Sequence, residues 1–230
     1  MVIAARRTPG RRRGGDRPAR RGPPGPLLLV VVALALWAPS AGAGELRPRP
    51  DRYDDTFRKY SKRYFGPAFD WRVFKAQGLA ESNLDSTARS QVGARGLMQL
   101  MPSTFHEICS KNPEIHGRID DPHGNIAAGI SYDRRLWRQW EQDSVENHRR
   151  EFMFASYNAG RGTILGAQHA ARAAQLDARA WPSIETVAPR VRGWRYHETI
   201  GYVQKIESHL SRLDEKGRVT RSTAGAVHSP

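Results

Sequence analysis

The most constraining feature of this sequence is a threefold-to-fourfold spacing of apolar residues, seen most clearly in Ile200, Val203, Ile206, Leu210 and Leu213. Steps of three and four put these side chains on one face of a helix, a face that must be buried against something. The pattern recurs. Ile126, Ile130 and Trp137 form one stripe of residues 125–141, and Tyr132, Leu136 and Trp140 form its neighbour. Trp71, Val73, Phe74, Leu79 and Ala80 predict a helix over 70–82, and Phe152, Met153, Phe154, Ala155 and Tyr157 a buried one ending at Gly160. The Ala-rich stretch 167–180 is predicted to be helical as well. No window alternates with β-branched side chains, so any sheet is at most a small hairpin and the fold class is all-α. The chain of 230 residues suits one such domain.

Both ends read differently. Residues 1–25 are rich in Arg, Gly and Pro and hold eight of the arginines but one acid, Asp16. Leu27 to Trp37 follows without a charge, eleven residues against the roughly 20 that span a bilayer as a helix. Positive charge, a short apolar run and then Ala41-Gly42-Ala43 are the parts of a secretory signal with its cleavage site. The expected organisation is a leader over 1–43, an extended lead-in over 44–53, a helical body over 54–213 and a flexible polar tail over 214–230. Export to the periplasm or cell envelope follows, with no stable membrane span once the leader is removed; an uncleaved leader would instead act as an anchor.

The leader also disposes of the obvious reading of the charge. A net charge of +14 suggests nucleic acid, but without residues 1–25 it falls to +7, spread with no basic block. Nucleic acid is therefore not an expected partner. Metal chemistry fails on spacing: His106-Glu107-Ile108-Cys109-Ser110 and His197-Glu198-Thr199-Ile200-Gly201 each lack the second imidazole one turn on. Gly160-Arg161-Gly162-Thr163-Ile164-Leu165-Gly166 misses the dinucleotide fingerprint by one residue and reads as a helix–helix turn. The single Cys109 forms no internal disulfide and reads as a small core side chain. No metal and no cofactor is expected.

Chemistry gathers around Glu81, at the end of the apolar helix Phe74-Lys75-Ala76-Gln77-Gly78-Leu79-Ala80-Glu81. A partly desolvated carboxyl there keeps its proton to higher pH, which is what an acid that protonates a departing glycosidic oxygen needs. The bland alternative is a surface glutamate that merely ends a helix. A polar loop follows from Asn83 to Ser90, then Gly93 to Gly96, then Gln99 inside the apolar run Leu97–Met101. A buried amide needs partners, and a sugar N-acetyl group is one candidate. Tyr157 and Asn158 add a hydroxyl and an amide at a helix terminus.

The series Glu81-Ser82, Ser90, Gly93-Ala94-Arg95-Gly96-Leu97-Met98-Gln99-Leu100-Met101-Pro102, Asn125-Ile126 with Gly129, Tyr157-Asn158-Ala159-Gly160, and Glu198-Thr199 with Tyr202-Val203 resembles the soluble lytic transglycosylase (SLT) catalytic domain of glycoside hydrolase family 23. The stretch Ala178–Val191 before the last motif is most similar to the membrane-bound type F enzymes, whose additional N-terminal domain is not expected here. The resemblance implies a lysozyme-like helical fold of the goose type, with a substrate cleft. It implies cleavage of peptidoglycan between MurNAc and GlcNAc to leave a 1,6-anhydro end, with Glu81 as sole acid/base. It further implies that Ser90 bonds near the reacting sugar, that Gln99 and Met101 line the cleft, that Tyr157 and Asn158 shape its floor, that Tyr202 faces the reacting centre, and that Ser82 supports the turn. Where the family has Asn-Pro this chain has Asp85-Ser86, a change expected to loosen that loop. Two alternatives stay open: a muramidase using Asp85, Asp120 or Asp121 as base for a water, and a non-catalytic wall-binding envelope protein.

Overall fold

The computed structural model describes residues 51–141 and 145–220. The leader, residues 44–50 of the lead-in and residues 221–230 of the tail lie outside them.

The fold is organised around a helix that is apolar on every side. In α5 (Arg149–Ala159), every residue from Phe152 to Asn158 is buried, the pattern of a helix with no solvent face. It packs on α4 (Pro122–Glu141), α6 (Arg161–Ala173) and α8 (Tyr196–Ser211). On the other side α1 (Asp54–Phe65) lies against α4, and α2 (Arg72–Ser82) lies most extensively against α8. The short α3 (Pro102–Lys111) covers α4, and α7 (Trp181–Val187) covers α6. Two single 3-10 turns, Glu146–His148 and Ala188–Arg190, complete the helical elements among the described residues. Strand-like pairing is confined, among the described residues, to the isolated bridges Arg89–Arg95, Arg95–Leu100 and Leu213–Val219. The all-α expectation holds.

Particular boundaries move. The helix expected over 167–180 ends at Ala173: Gln175 takes a left-handed φ of 57°, and Gln168 Nε2 donates to the Ala178 carbonyl at 2.9 Å, holding the reversal. The turn expected over Gly160–Gly166 contracts to Gly160 alone, since 161 onward is helix. Leu213 is buried but lies beyond the end of α8. Cys109 is half-buried at the edge of the core on α3. Tyr53, expected in an extended lead-in, is buried in a turn that opens α1.

Residues 214–220 also depart from the free tail expected of them. They close a turn on the body: the fully buried Lys75 donates to Asp54 Oδ1 at 2.5 Å and to the Gly217 carbonyl at 2.6 Å. A buried ammonium needs both a counter-charge and hydrogen bonds, and here the returning chain supplies part of the second.

Candidate active site

Glu81 occupies the last turn of α2. The helix stops there because Asn83 and Leu84 both take left-handed backbone, φ 55° and 60°, and the Asn83 N–H returns to the Leu79 carbonyl. Leu84 is buried, so the reversal is held by packing as well as by hydrogen bonds. The loop after it is not loose. The Asp85 carboxylate accepts from the Thr87 N–H at 2.8 Å and the Thr87 hydroxyl at 2.7 Å, replacing the rigidity that a proline would bring.

The Glu81 carboxyl faces inward. Its Oε1 accepts from the Tyr202 hydroxyl at 2.6 Å, and its Oε2 is shielded from solvent with no protein partner. Burial pushes this carboxyl up to about 8, against the Tyr202 hydrogen bond and the Lys205 charge, which both pull it down. The acid is thus neutral at pH 7. Lys205, one turn beyond Tyr202 on α8, places its Nζ 2.6 Å from the Ala80 carbonyl.

The segment Arg95–Leu100 is pinned to the helices around it by buried hydrogen bonds. Ser82 donates to the Leu97 carbonyl at 2.9 Å, and the fully buried Tyr157 donates to the Met98 carbonyl at 2.8 Å. Asn125 makes three contacts at once: its Oδ1 accepts from Met98 N–H (2.8 Å), and its Nδ2 donates to the Arg95 (3.1 Å) and Ile119 (2.9 Å) carbonyls. This requires close approach. A Cβ on Gly96, at φ 77°, would lie 2.6 Å from Asn125 Nδ2, and one on Gly129 would lie 2.8 Å from Met98. Both positions therefore need glycine.

Gln99 has a left-handed backbone, φ 43°, rare for a residue with a side chain and costing on the order of 1 kcal/mol or more. Its Nε2 is committed to the Gly96 (2.9 Å) and Ala88 (3.3 Å) carbonyls, which leaves Oε1 as the uncommitted end of the amide. Met101 is half-buried and caps α3 ahead of Pro102. Ser90 closes its own turn, its Oγ accepting from Ala94 N–H at 2.9 Å, so its proton remains to donate. Asn158 is buried and accepts from Thr199 at 2.8 Å, and Trp194 Nε1 donates to the same Thr199 hydroxyl. Tyr157 and Asn158 are thus internal supports of the segment around Met98 and of the α5–α8 contact.

Transglycosylase SLT domain is the family whose model matches this chain, over residues 56–179. The chain belongs to that family. Glu81, Gln99 and Asn158 fall inside the matched span, whereas Tyr202 and Lys205 lie beyond it and are tied to the site by their contacts. A membrane-bound lytic murein transglycosylase F of Desulfosudis oleivorans is 30% identical over 184 residues, covering 74% of this chain and 38% of the relative. The enzyme of the same name from Shewanella pealeana is 31% identical over 151 residues, 66% of this chain and 29% of the relative. The chain therefore spans well under half of these curated relatives. Among solved structures, the 70 kDa soluble lytic transglycosylase of Escherichia coli matches with TM-score 0.50 and 29% identity, covering 68% of this chain and 23% of that one. A complex of the 70 kDa soluble lytic transglycosylase with bulgecin A matches with TM-score 0.51 and 26% identity, covering 76% of this chain and 26% of that one. The lysozyme-like helical fold expected for an SLT domain is the fold observed.

Two residues of the site were not singled out from the sequence. Asp133 and Gln77 are fully buried next to Tyr202, and Gln77 Nε2 lies 3.3 Å from the Tyr202 hydroxyl. The available signal was register: Asp133 stands seven residues after Ile126 and four before Trp137, on an apolar stripe.

Proposed function

We propose that this SLT domain is a peptidoglycan lytic transglycosylase that cuts the MurNAc-β-1,4-GlcNAc bond with Glu81 as its one acid/base. The observation that carries the reading is the Glu81 carboxyl: shielded, still protonated near pH 7 and held on one oxygen by Tyr202. Tyr202 donates to Oε1, so the transferable proton belongs on Oε2. That proton goes to the glycosidic oxygen as the bond to C1 breaks and positive charge grows on the MurNAc ring. The Glu81 carboxylate then removes the proton from the C6 hydroxyl of the same sugar, whose oxygen bonds to C1 and closes the 1,6-anhydro ring. Glu81 ends as it began, and the attacking group is already tethered, so no water is activated. Tyr202 and Lys205 favour the carboxylate during its brief existence. Gln99 Oε1 and the Ser90 hydroxyl are the uncommitted polar groups for the N-acetyl and hydroxyl groups of the sugar.

Hydrolysis would need a second carboxylate free to hold a water. Asp85 is engaged with Thr87, Asp120 with Arg89 at 3.3 Å and Arg95 at 3.9 Å, and Asp121 caps α4 through Gly124 N–H at 2.6 Å. Their engagement supports internal attack over a muramidase reaction. The relatives' names place them at a membrane acting on murein, and with the leader expected from the sequence this supports work in the cell envelope. Among the described residues no helix is long and apolar enough to cross a membrane. The test is mass spectrometry of isolated sacculi digested by the chain: products lighter by one water than hydrolytic muropeptides are expected. Products carrying that water would establish a muramidase, and glycan bound but uncut would establish a wall-binding protein.

A further inference from the structure

Gln77 lies one turn before Glu81 on α2, and its side chain enters the contact between α2, α4 and α8. Its Nε2 forks, 3.4 Å from Asp133 Oδ1 on α4 and 3.3 Å from the Tyr202 hydroxyl on α8. All three side chains are fully buried, and Gln77 Oε1 and Asp133 Oδ2 have no protein partner. A phenol has one proton. With the Gln77 N–H on the Tyr202 oxygen and Glu81 Oε1 at 2.6 Å, that proton has one place to point. A reversed Gln77 amide would present Oε1 to Tyr202 and compete with Glu81 for the proton. On the other side of the amide, Asp133 Oδ1 stands as an acceptor for the same NH2 group.

We propose that Asp133 is a positioning residue: its Oδ1, accepting from the Gln77 NH2, holds that NH2 toward Tyr202, which aims the Tyr202 proton at Glu81 Oε1 and reserves Oε2 for the transferable proton. The inference rests on the role of Glu81 given above and adds a residue that touches no substrate. Full burial pushes the Asp133 carboxyl well above the usual carboxylate range, and a charge on Glu81 pushes it further. The titratable groups facing the pair are Tyr202 and Lys205 from α8 and Tyr157 from α5, with Tyr132 beside Tyr157 on α4. Lys205 is the cation acting on Glu81, and a second anion in this pocket would have no counter-charge of its own.

The test compares D133N, D133A and Q77L in the full chain, with kcat and KM on peptidoglycan and the Glu81 carboxyl titration read by carbon NMR. D133N keeps a neutral acceptor in place, so its kcat should stay within about threefold of wild type and its Glu81 midpoint should not move. D133A should lower kcat about tenfold with KM unchanged. It should also move the Glu81 midpoint upward, because a wandering Tyr202 proton no longer favours the carboxylate. Q77L should reproduce both effects, and the double variant D133A/Q77L should be no worse than either single one. A folded D133A with wild-type kcat and midpoint overturns the proposal. So does a D133N midpoint displaced as far as that of D133A, which would make Asp133 a charge. If D133A does not fold, an unmoved midpoint in Q77L overturns it equally. A wild-type chain that leaves glycan uncut would remove the transglycosylase reading instead, and the Glu81 titration would still decide the role of Asp133.

Discussion

Replacing Glu81 by Gln should stabilise the fold in a pH-dependent way. The carboxyl titrates near 4.5 when exposed and at about 8 in the folded chain. Below 4.5 it is neutral in both states and contributes no difference. Between the two values the unfolded chain releases the proton and the folded chain keeps it, so stability is lost as pH rises and levels off above 8. At 1.36 kcal/mol per pH unit the loss approaches about 5 kcal/mol. Because Glu81 as a residue is only half-buried, solvent near its stem reduces the working figure to about 2–4 kcal/mol. The amide has no such titration. Its extra N–H groups, placed where Oε2 has no partner, cost the same at every pH. Urea unfolding of wild type and E81Q at intervals from pH 5 to pH 9, followed by tryptophan fluorescence, isolates the difference. The gap should widen in favour of E81Q with rising pH and flatten above pH 8. A gap that stays constant, or that favours the carboxylate at pH 9, would refute the burial argument.

Tyr202→Phe removes the donor on Glu81 Oε1; kcat should fall about tenfold, and the alkaline limb of the pH–rate profile should move upward. Gly96→Ala forces a Cβ to 2.6 Å from Asn125 Nδ2 at a positive φ, so thermal unfolding should show a loss of about 2 kcal/mol or more together with weakened activity. Lys75→Met leaves Asp54 buried without its partner. Chemical denaturation should show a loss of about 3–5 kcal/mol, and pairing it with Asp54→Leu should recover much of that loss.

The parts of the fold legible in the sequence are those where one apolar face reports one buried contact. Val203 and Ile206 on α8, Ile126 and Ile130 on α4, and Phe152 to Tyr157 on α5 all lie where their spacing puts them. Position at a helix terminus also made Glu81 stand out, whereas Tyr202 entered through the family resemblance. Propensity misled at 174–180, where alanine favours helix but Gln168 and the buried Ala178 hold a reversal. Such long-range hydrogen bonds leave no periodic trace. Nor does the return of residues 214–220 onto Lys75, since a polar, glycine-containing stretch reads alike whether it is free or anchored by its carbonyls. Asp133 and Gln77 were readable in principle as polar residues on buried stripes. Spacing alone could not say that they meet, because one is on α4 and the other on α2.

The most direct measurement is the titration of the Glu81 side-chain carbon by NMR in the intact chain, from pH 3 to pH 10. A midpoint near 8 is predicted, with the proton still held at neutral pH. A midpoint near 4.5 would mean a solvated carboxylate with no proton to give, and the catalytic role assigned to Glu81 would be contradicted.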